Sequence, residues 1–289
     1  MGSSGPFDIV AFFQQKLAAD ADVAVPVAAI EALVEYIDRS KAATMSELTF
    51  FAVTTEHIQD LEHGKLLLLE RGRRFVEKAT SCREGIAKLG TRFIQDEHTL
   101  FVHSYSRVVL QLLRNAVAEG LRFSVLVTES QPTGSGLVTA RALQKLGVPC
   151  RLVPDAAVAS VMEAVDMVLI GAEAVTENGG IIGTYQMALG ARAAGKPCYA
   201  VAESYKFVRR LPLNQRDLPG NAPSALRLAS SSVQPYHTAA SPAAGGEDEI
   251  EWLQPCVDFT PASYIDLFIT DLGVLTPADV GDEVFRLYA

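Results

Sequence analysis

Met167–Ser204, MVLIGAEAVTENGGIIGTYQMALGARAAGKPCYAVAES, is the stretch on which the fold turns. A short apolar run, Met167–Ala172, stops at Glu173, and Asn178-Gly179-Gly180 then makes a turn. A helix-like segment follows, and a second apolar run, Cys198–Ala202, stops at Glu203. The pattern predicts a strand–helix–strand unit with a carboxylate at the C-terminal lip of each strand. In open parallel sheets small molecules bind at that lip, because helix N-termini and loop amides converge there.

The same texture extends in both directions. Strands are expected at Thr99–His103, Arg122–Val127, Cys150–Val153, Met167–Ala172, Cys198–Ala202 and Asp266–Thr270. Helices are expected between the first five, at Arg107–Glu119, Leu137–Leu146, Ala156–Ala164 and Tyr185–Ala194, with Gly120, Gly147 and Gly195 at C-cap positions. Short apolar runs alternating with helices predict a parallel sheet covered on both faces, and right-handed crossovers make it doubly wound. Ahead of Thr99 the chain reads as helical, since Val27–Ile37 and Gly85–Gln95 carry apolar residues three or four apart. The expected class is therefore α/β: an N-terminal helical domain over 1–98, then a doubly wound, mostly parallel Rossmann-like sheet over 99–289. Pro212–Pro261, poor in large apolar residues and rich in Ser, Ala, Pro and Gly, is expected to be a surface excursion between the fifth and sixth strands.

The strand ends carry the chemistry. In order they read His103-Ser104, Glu129-Ser130, Asp155, Glu173, Glu203-Ser204 and Asp271. In a parallel sheet all of these point to one rim. Asp155, followed directly by a helical run, is expected to cap that helix. Glu173 is a poor cap type and its next helix begins far downstream. Converging carboxylates such as Glu129, Glu173 and Glu203 would raise one another's pKa values, a common mark of a site. Gly134-Ser135-Gly136 and the Asn178-Gly179 turn offer amides for an anion, and Arg107 offers a cation. Lys206, Arg209 and Arg210 read as solvated surface. No Ser–His–acid constellation can be assembled: Ser104 and His103 are adjacent, and adjacent strand residues point to opposite faces. The other histidines fall in the helical region or in the excursion.

Composition narrows the classes. The chain has 289 residues, 49% apolar and 20% charged, with mean hydropathy +0.18 and net charge −9. That is enough to bury a sizeable core, and the acidic balance argues against direct nucleic-acid binding. The sequence has no apolar run long enough to span a membrane and no basic n-region of a signal peptide. Cys82, Cys150, Cys198 and Cys256 are far apart and lack ligand-spaced histidines, so the expectation is four reduced structural thiols, no metal and no cofactor, in the cytosol.

Five segments resemble one family: VHSYSRVVLQLL, FSVLVTESQP, VDMVLIGAEAVTENGGII with GTYQMA, YAVAESYKFVRRLPLN and ITDLGVLTPADVGDEVFRLY. They look like the alpha-subunit branch of the translation initiation factor 2B family, as does VAAIEALVEYI near the N-terminus. The wider superfamily includes methylthioribose-1-phosphate and ribose-1,5-bisphosphate isomerases, whose strand-end pocket it shares. The resemblance implies that Ser104 stands where those isomerases carry a catalytic cysteine, and Glu173 where they carry a catalytic aspartate. An ordinary hydroxyl stays protonated near neutrality, so isomerisation looks disabled. Against the family pattern, roughly thirty residues are absent between Leu48 and Phe50 and about three, usually including a pocket lysine, between Ile182 and Gly183. Either these are true deletions or the sequence joins segments across omitted loops.

The resemblance implies a non-catalytic regulatory subunit of the guanine-nucleotide exchange factor for translation initiation factor 2. Its implied partners are a second copy of itself, the beta and delta subunits, and initiation factor 2 with a phosphorylated alpha subunit. Ile269–Leu287 is the candidate dimer patch. Arg39, Lys41 and Thr44 are the candidate contacts to the phosphorylated partner. There a shape-dependent contact over Ser40–Leu48 is expected, since a helix C-terminus repels anions. The alternatives are a sugar-phosphate isomerase, or a sensor of a sugar phosphate or nucleoside monophosphate. Its pocket would be His103, Ser104, Arg107, Glu129, Gly134, Gly136, Glu173, Asn178, Gly179 and Glu203.

Overall fold

The computed structural model describes residues 8–19, 23, 25–39, 61–218 and 257–288. The chain divides into two compact units, Met1–Cys82 and Arg83–Ala289.

The first unit is helical. Helix α1 (Ile9–Ala19) starts where the Asp8 carboxylate accepts the Val10 and Ala11 amides, both at 3.0 Å. Helix α2 (Val25–Arg39) buries Val27, Ala28, Ala32 and Ile37, the spacing of one helical face. The long helix α3 (Leu61–Thr91) contributes Leu69 beside Ile37. Gly72 allows the close approach, since a Cβ there would lie 2.3 Å from Val34 Cγ2.

The second unit opens within α3. Its Ile86 and Ala87 belong to the core of the sheet, which is why the division falls at Arg83 and ahead of the change of texture at Thr99. The helix expected over Gly85–Gln95 is the end of α3; Phe93 and Ile94 lie in the turns beyond it, their amides donating to Gly90 and Thr91.

All six expected strands are present: β1 (Thr99–Val102), β2 (Ser124–Thr128), β3 (Cys150–Val153), β4 (Met167–Ile170), β7 (Cys198–Val201) and β10 (Leu267–Thr270). They pair in parallel, and the antiparallel edge strand β11 (Gly273–Leu275) completes the order β11-β10-β7-β4-β1-β2-β3 among the described residues. The chain winds outward from β1 to β3, crosses back to β4, and winds outward the other way. The sheet's switch point is therefore the β1–β4 boundary.

Side-chain alternation divides the core. Leu100, Val102, Val125, Val127 and Leu169 face helices α3 and α4 (Arg107–Ala118). Phe101, Val168 and Ile170 face Val158 and Met162, helix α7 (Tyr185–Ala193) and helix α8 (Pro277–Tyr288). Each such fully buried large side chain contributes about 1.5–3 kcal/mol relative to exposure. Helix α5 (Gly136–Lys145) covers β2 and β3. The helix expected over Ala156–Ala164 is broken into two 3-10 turns around α6 (Val158–Val161).

A second sheet, β8-β5-β6-β9, was not expected. It joins β5 (Ala174–Thr176), β6 (Ile181–Ile182), β8 (Phe207–Val208) and β9 (Phe259–Thr260). Strand β9 corrects part of the excursion assigned to Pro212–Pro261. The Gln215 side chain donates to Phe259 O at 2.6 Å and accepts the Phe259 amide at 2.7 Å, so the two legs meet. Residues 219–256 lie outside the described residues. No helix of the described residues is long and apolar enough to cross a membrane.

Gly90 tests the packing of α3. A Cβ there would lie 2.2 Å from Leu112 Cδ1, and Leu112 is fully buried. Alanine would gain about 1 kcal/mol of helix propensity, but overpacking costs about 1–3 kcal/mol. Gly90→Ala is expected to lose about 1 kcal/mol of stability in urea unfolding. A stabilised variant would mean that the α3–α4 contact is looser than described.

Candidate functional site

The strand ends form one rim, and its backbone is unusual. Ser104, Ser130 and Thr184 have φ of 58°, 57° and 64°, three of the four non-glycine residues with positive φ among those described. Each such residue costs about 1–2 kcal/mol. Neighbouring bonds hold them there. The Ser104 amide donates to Thr128 Oγ1 at 3.1 Å, and its carbonyl accepts Thr139 Oγ1 at 2.7 Å. Ser130 and Gln131 donate their amides to the two Asp155 carboxylate oxygens at 2.9 and 2.7 Å. Asp155 is therefore a clamp on the β2 loop and caps no helix, a correction to its expected role.

Hydroxyls run along this rim in contact. Thr133 Oγ1 is 2.9 Å from Ser135 Oγ, which is 2.6 Å from Ser104 Oγ. Thr128 Oγ1 is 3.4 Å from Ser130 Oγ, which is 3.3 Å from His103 Nε2. Ser104 and His103 do not pair with each other; the hydroxyl beside His103 comes from Ser130, after the next strand. Burial holds the His103 imidazole below its ordinary pKa, against the opposing pull of Asp155 and Asp258. Ser130 follows a strand with positive φ, as a hydrolytic nucleophile does. However, Ser130 is buried, and the amides that would form an oxyanion hole are held by Asp155. Acyl transfer is not supported.

The expected anion cradle is filled by the chain itself. Gly134 and Gly136 donate their amides to Ser130 O and Glu129 O, and Ser135 to Thr133 Oγ1. Gly136 is there for closeness, since a Cβ would lie 1.7 Å from Thr128 O. Asn178 and Gly179 leave the pocket set too. Asn178 Oδ1 accepts Thr176 Oγ1 and the Gly180 amide, its Nδ2 donates to Pro212 O at 3.0 Å, and Gly179 packs on Pro277. They form the β5–β6 turn, which is also why no helix follows Glu173 directly.

Glu203 behaves opposite to expectation. It is 2% exposed, with Arg83 Nε 3.1 Å from Oε1, Lys206 Nζ 3.1 Å from Oε2, and Tyr205 Oη donating at 2.9 Å. Burial pushes its pKa up, but Lys206 and these bonds outweigh burial and hold it below the usual range. Lys206 is accordingly no solvated lysine; it also donates to Ala172 O at 2.9 Å. Arg209 and Arg210 are exposed as expected. Ser204 donates its amide and hydroxyl to Asp271, at 2.6 and 2.7 Å. Arg107 opens α4 behind its cap Ser106 and is already engaged within the chain. Glu129 is half-buried beside Gln131, and Glu173 is exposed at the lip.

Sequence reasoning missed Asp258 and Arg83. Asp258 Oδ2 accepts the Tyr185 amide at 3.0 Å, capping α7, while Oδ1 is buried without a hydrogen-bond partner. Burial raises the Asp258 pKa, opposed by the Tyr185 amide and by His103. Each acts on a residue 73 or more positions away, beyond any local signal. Arg39 is ion-paired with Glu35, and Lys41 and Thr44 lie outside the described residues. Cys150 and Cys198 are pushed up to about 11 and about 12 by burial, which keeps them as thiols; Cys256 lies outside the described residues. No group of three His, Cys, Asp or Glu among the described residues could hold a metal ion. A shallow depression of about 470 Å³ lies elsewhere, between Met162 and Gly190, and gathers no comparable chemistry.

A family model described as the initiation factor 2 subunit family matches residues 50–277. The chain is 35% identical over 322 aligned residues to the translation initiation factor eIF2B subunit alpha of Dictyostelium discoideum, covering 99% of each. It is 29% identical to a ribose 1,5-bisphosphate isomerase of Archaeoglobus fulgidus, over 76% of this chain and 67% of that one. Its fold matches a chain of the tetrameric eIF2B-beta2-delta2 complex of C. thermophilum with TM-score 0.68 at 20% identity, covering 91% and 90%.

Two ionisable groups give measurable signatures. Glu203→Gln leaves Arg83 and Lys206 facing an amide. Full burial would cost about 3–5 kcal/mol. These cations are 17% and 22% exposed, so about 2 kcal/mol is expected at neutral pH. The depressed Glu203 stabilises above the unfolded value near 4.5, and this is lost as pH falls through the lower folded value. Urea unfolding of wild type and variant should therefore converge in acid. For His103 the folded value lies below 6.5, so the unfolded chain binds the proton first and stability falls as pH drops through 6.5. His103→Gln should lose stability less steeply than wild type over that window; parallel profiles would refute the buried neutral state.

Proposed function

The chain belongs to the initiation factor 2 subunit family, and we propose that it serves there as a non-catalytic regulatory subunit of the guanine-nucleotide exchange factor for translation initiation factor 2. The observation that carries this reading is the end-to-end likeness to an eIF2B alpha subunit, 99% of both chains, where the likeness to an isomerase is partial. The site agrees with it. Ser104 Oγ lies against another hydroxyl, Ser135 Oγ, and among the described residues no base is hydrogen-bonded to it. A hydroxyl so placed is a poor proton donor and acceptor near neutrality.

On this reading the chain works in the cytosol, pairs with itself and joins beta and delta subunits. The self-contact would use the C-terminal edge. There Val280 and Val284 face the core, while Leu272 in the turn before β11, Val274 on β11, and Phe285 and Leu287 on α8 are exposed. Recognition of phosphorylated initiation factor 2 would then lie in the stretch after Arg39. A second reading, sugar-phosphate isomerisation, is favoured by the strained rim and by exposed Glu173.

Analytical ultracentrifugation of the chain at micromolar concentration is expected to show a dimer. Phe285→Glu should convert it to a monomer that stays folded, because Phe285 is 71% exposed within one chain, with a melting temperature that no longer rises with protein concentration. Co-expression with beta and delta subunits should give a complex whose exchange activity is inhibited by phosphorylated initiation factor 2 only when this chain is present. Turnover of ribose 1,5-bisphosphate, abolished by Glu173→Gln, would replace this reading with the enzymatic one.

A further inference from the structure

The seven-stranded sheet ends at β3, and among the described residues nothing pairs with the outer side of that strand. The Val125 amide donates to Pro149 O and the Glu129 amide to Val153 O, with Val125 opposite Cys150 and Thr128 opposite Val153. In a parallel ladder alternate residues turn both backbone groups toward the neighbouring strand. Arg151 and Val153 therefore pair with β2, and Cys150 and Leu152 turn their N–H and C=O groups outward. Leu152, on the edge itself, is 43% exposed.

The charge around this edge is opposite to that of the chain. Gln131–Pro154 contains Arg141, Lys145 and Arg151 and no Asp or Glu, a net +3 in a protein of net −9. The oxygens of Asp155, next in sequence, are taken by the Ser130 and Gln131 amides. Arg83, Arg122, Lys206 and Arg286 each face a carboxylate, whereas Arg141, Lys145 and Arg151 have no ion pair among the described residues. Helix α5 packs over β2 and β3 and carries Val138, Arg141 and Lys145 on one exposed stripe, with exposed Leu146 just beyond its end. A lone arginine on an edge strand repels stray strands, but exposed apolar residues interleaved with the cations would defeat that purpose. A second copy of the chain fits poorly here, because a two-fold contact sets the cations against themselves, and the self-contact proposed above uses β11 at the other end of the sheet. Nucleic acid would meet the cations yet leave the strand's N–H and C=O groups without a matching backbone. We propose that the β3 edge is a docking strand for an extended acidic segment of a partner protein. The segment adds to the sheet through the backbone of Cys150 and Leu152, sets its carboxylates against Arg141, Lys145 and Arg151, and covers Val138, Leu146 and Leu152 with its apolar residues.

Fluorescence anisotropy on the full chain tests this with a labelled peptide of about ten residues, the length of a long strand, alternating glutamate with valine. The controls are a lysine–valine peptide and a single-stranded DNA oligonucleotide of the same charge as the acidic peptide. Wild type should bind the acidic peptide in preference to both controls, and added salt should weaken the binding. Arg141→Glu, Lys145→Glu and Arg151→Glu combined should weaken it at least about tenfold, since like charges across an interface are strongly unfavourable. Arg210→Glu, an exposed charge change away from this edge, should leave it unaltered. Copies of the peptide N-methylated at every second amide, in the two possible phases, separate backbone pairing from charge: one phase should lose binding and the other keep it. Those copies use the unaltered protein, so the test does not depend on how the triple variant folds. No binding of the acidic peptide overturns the proposal. So does equal binding of the lysine–valine peptide, tighter binding of the oligonucleotide, full affinity in the triple variant, or binding kept by both methylated phases.

Discussion

Aspartates that accept backbone amides from a neighbouring strand hold both ends of the sheet in register. At the N-terminal end, Asp166 takes the Thr99 amide and Asp266 takes the Cys198 amide, at 2.7 and 2.8 Å. At the C-terminal end, Asp155 takes the amides after β2 and Asp271 takes that of Ser204. A parallel sheet leaves its strand-end amides without ladder partners, and a carboxylate supplies charge-assisted bonds of about 1.5–3 kcal/mol each. The left-handed conformation of Ser130 is affordable because such a bond fixes its amide. These clamps anchor the loops that follow β2 and β7 on the rim.

The clamps also explain why the rim is acidic in composition yet mostly unavailable as acid. Asp155 and Asp271 are hydrogen-bonded to the chain, and Glu203 neutralises cations. A list of strand-end carboxylates therefore overstates the free charge. The expected mutual repulsion is absent at Glu203 because Arg83 and Lys206 stand beside it, and among the described carboxylates Asp258 shows the upward shift that burial produces.

Long apolar runs made the main sheet legible. Met167–Ile170 is buried along its whole length, and only a strand covered on both faces reads as an unbroken apolar run. Gly120, Gly147 and Gly195 do close helices, each with positive φ. The small sheet was illegible for the converse reason: β6, β8 and β9 have two residues each, too short for any periodicity. Asn178-Gly179 looked like a ligand turn because hairpin and anion-binding turns share composition. Only the contacts to Pro212 and Pro277 distinguish the two.

The clasp between Gln215 and Phe259 has a consequence for how this protein can change over evolutionary time. It joins residues 44 positions apart through two bonds from the Gln215 side chain to the Phe259 backbone, and β9 pairs antiparallel with β6. Closing a chain on itself costs an entropy that grows only with the logarithm of its length, so a fastening between distant residues tolerates change in the number of residues that separate them.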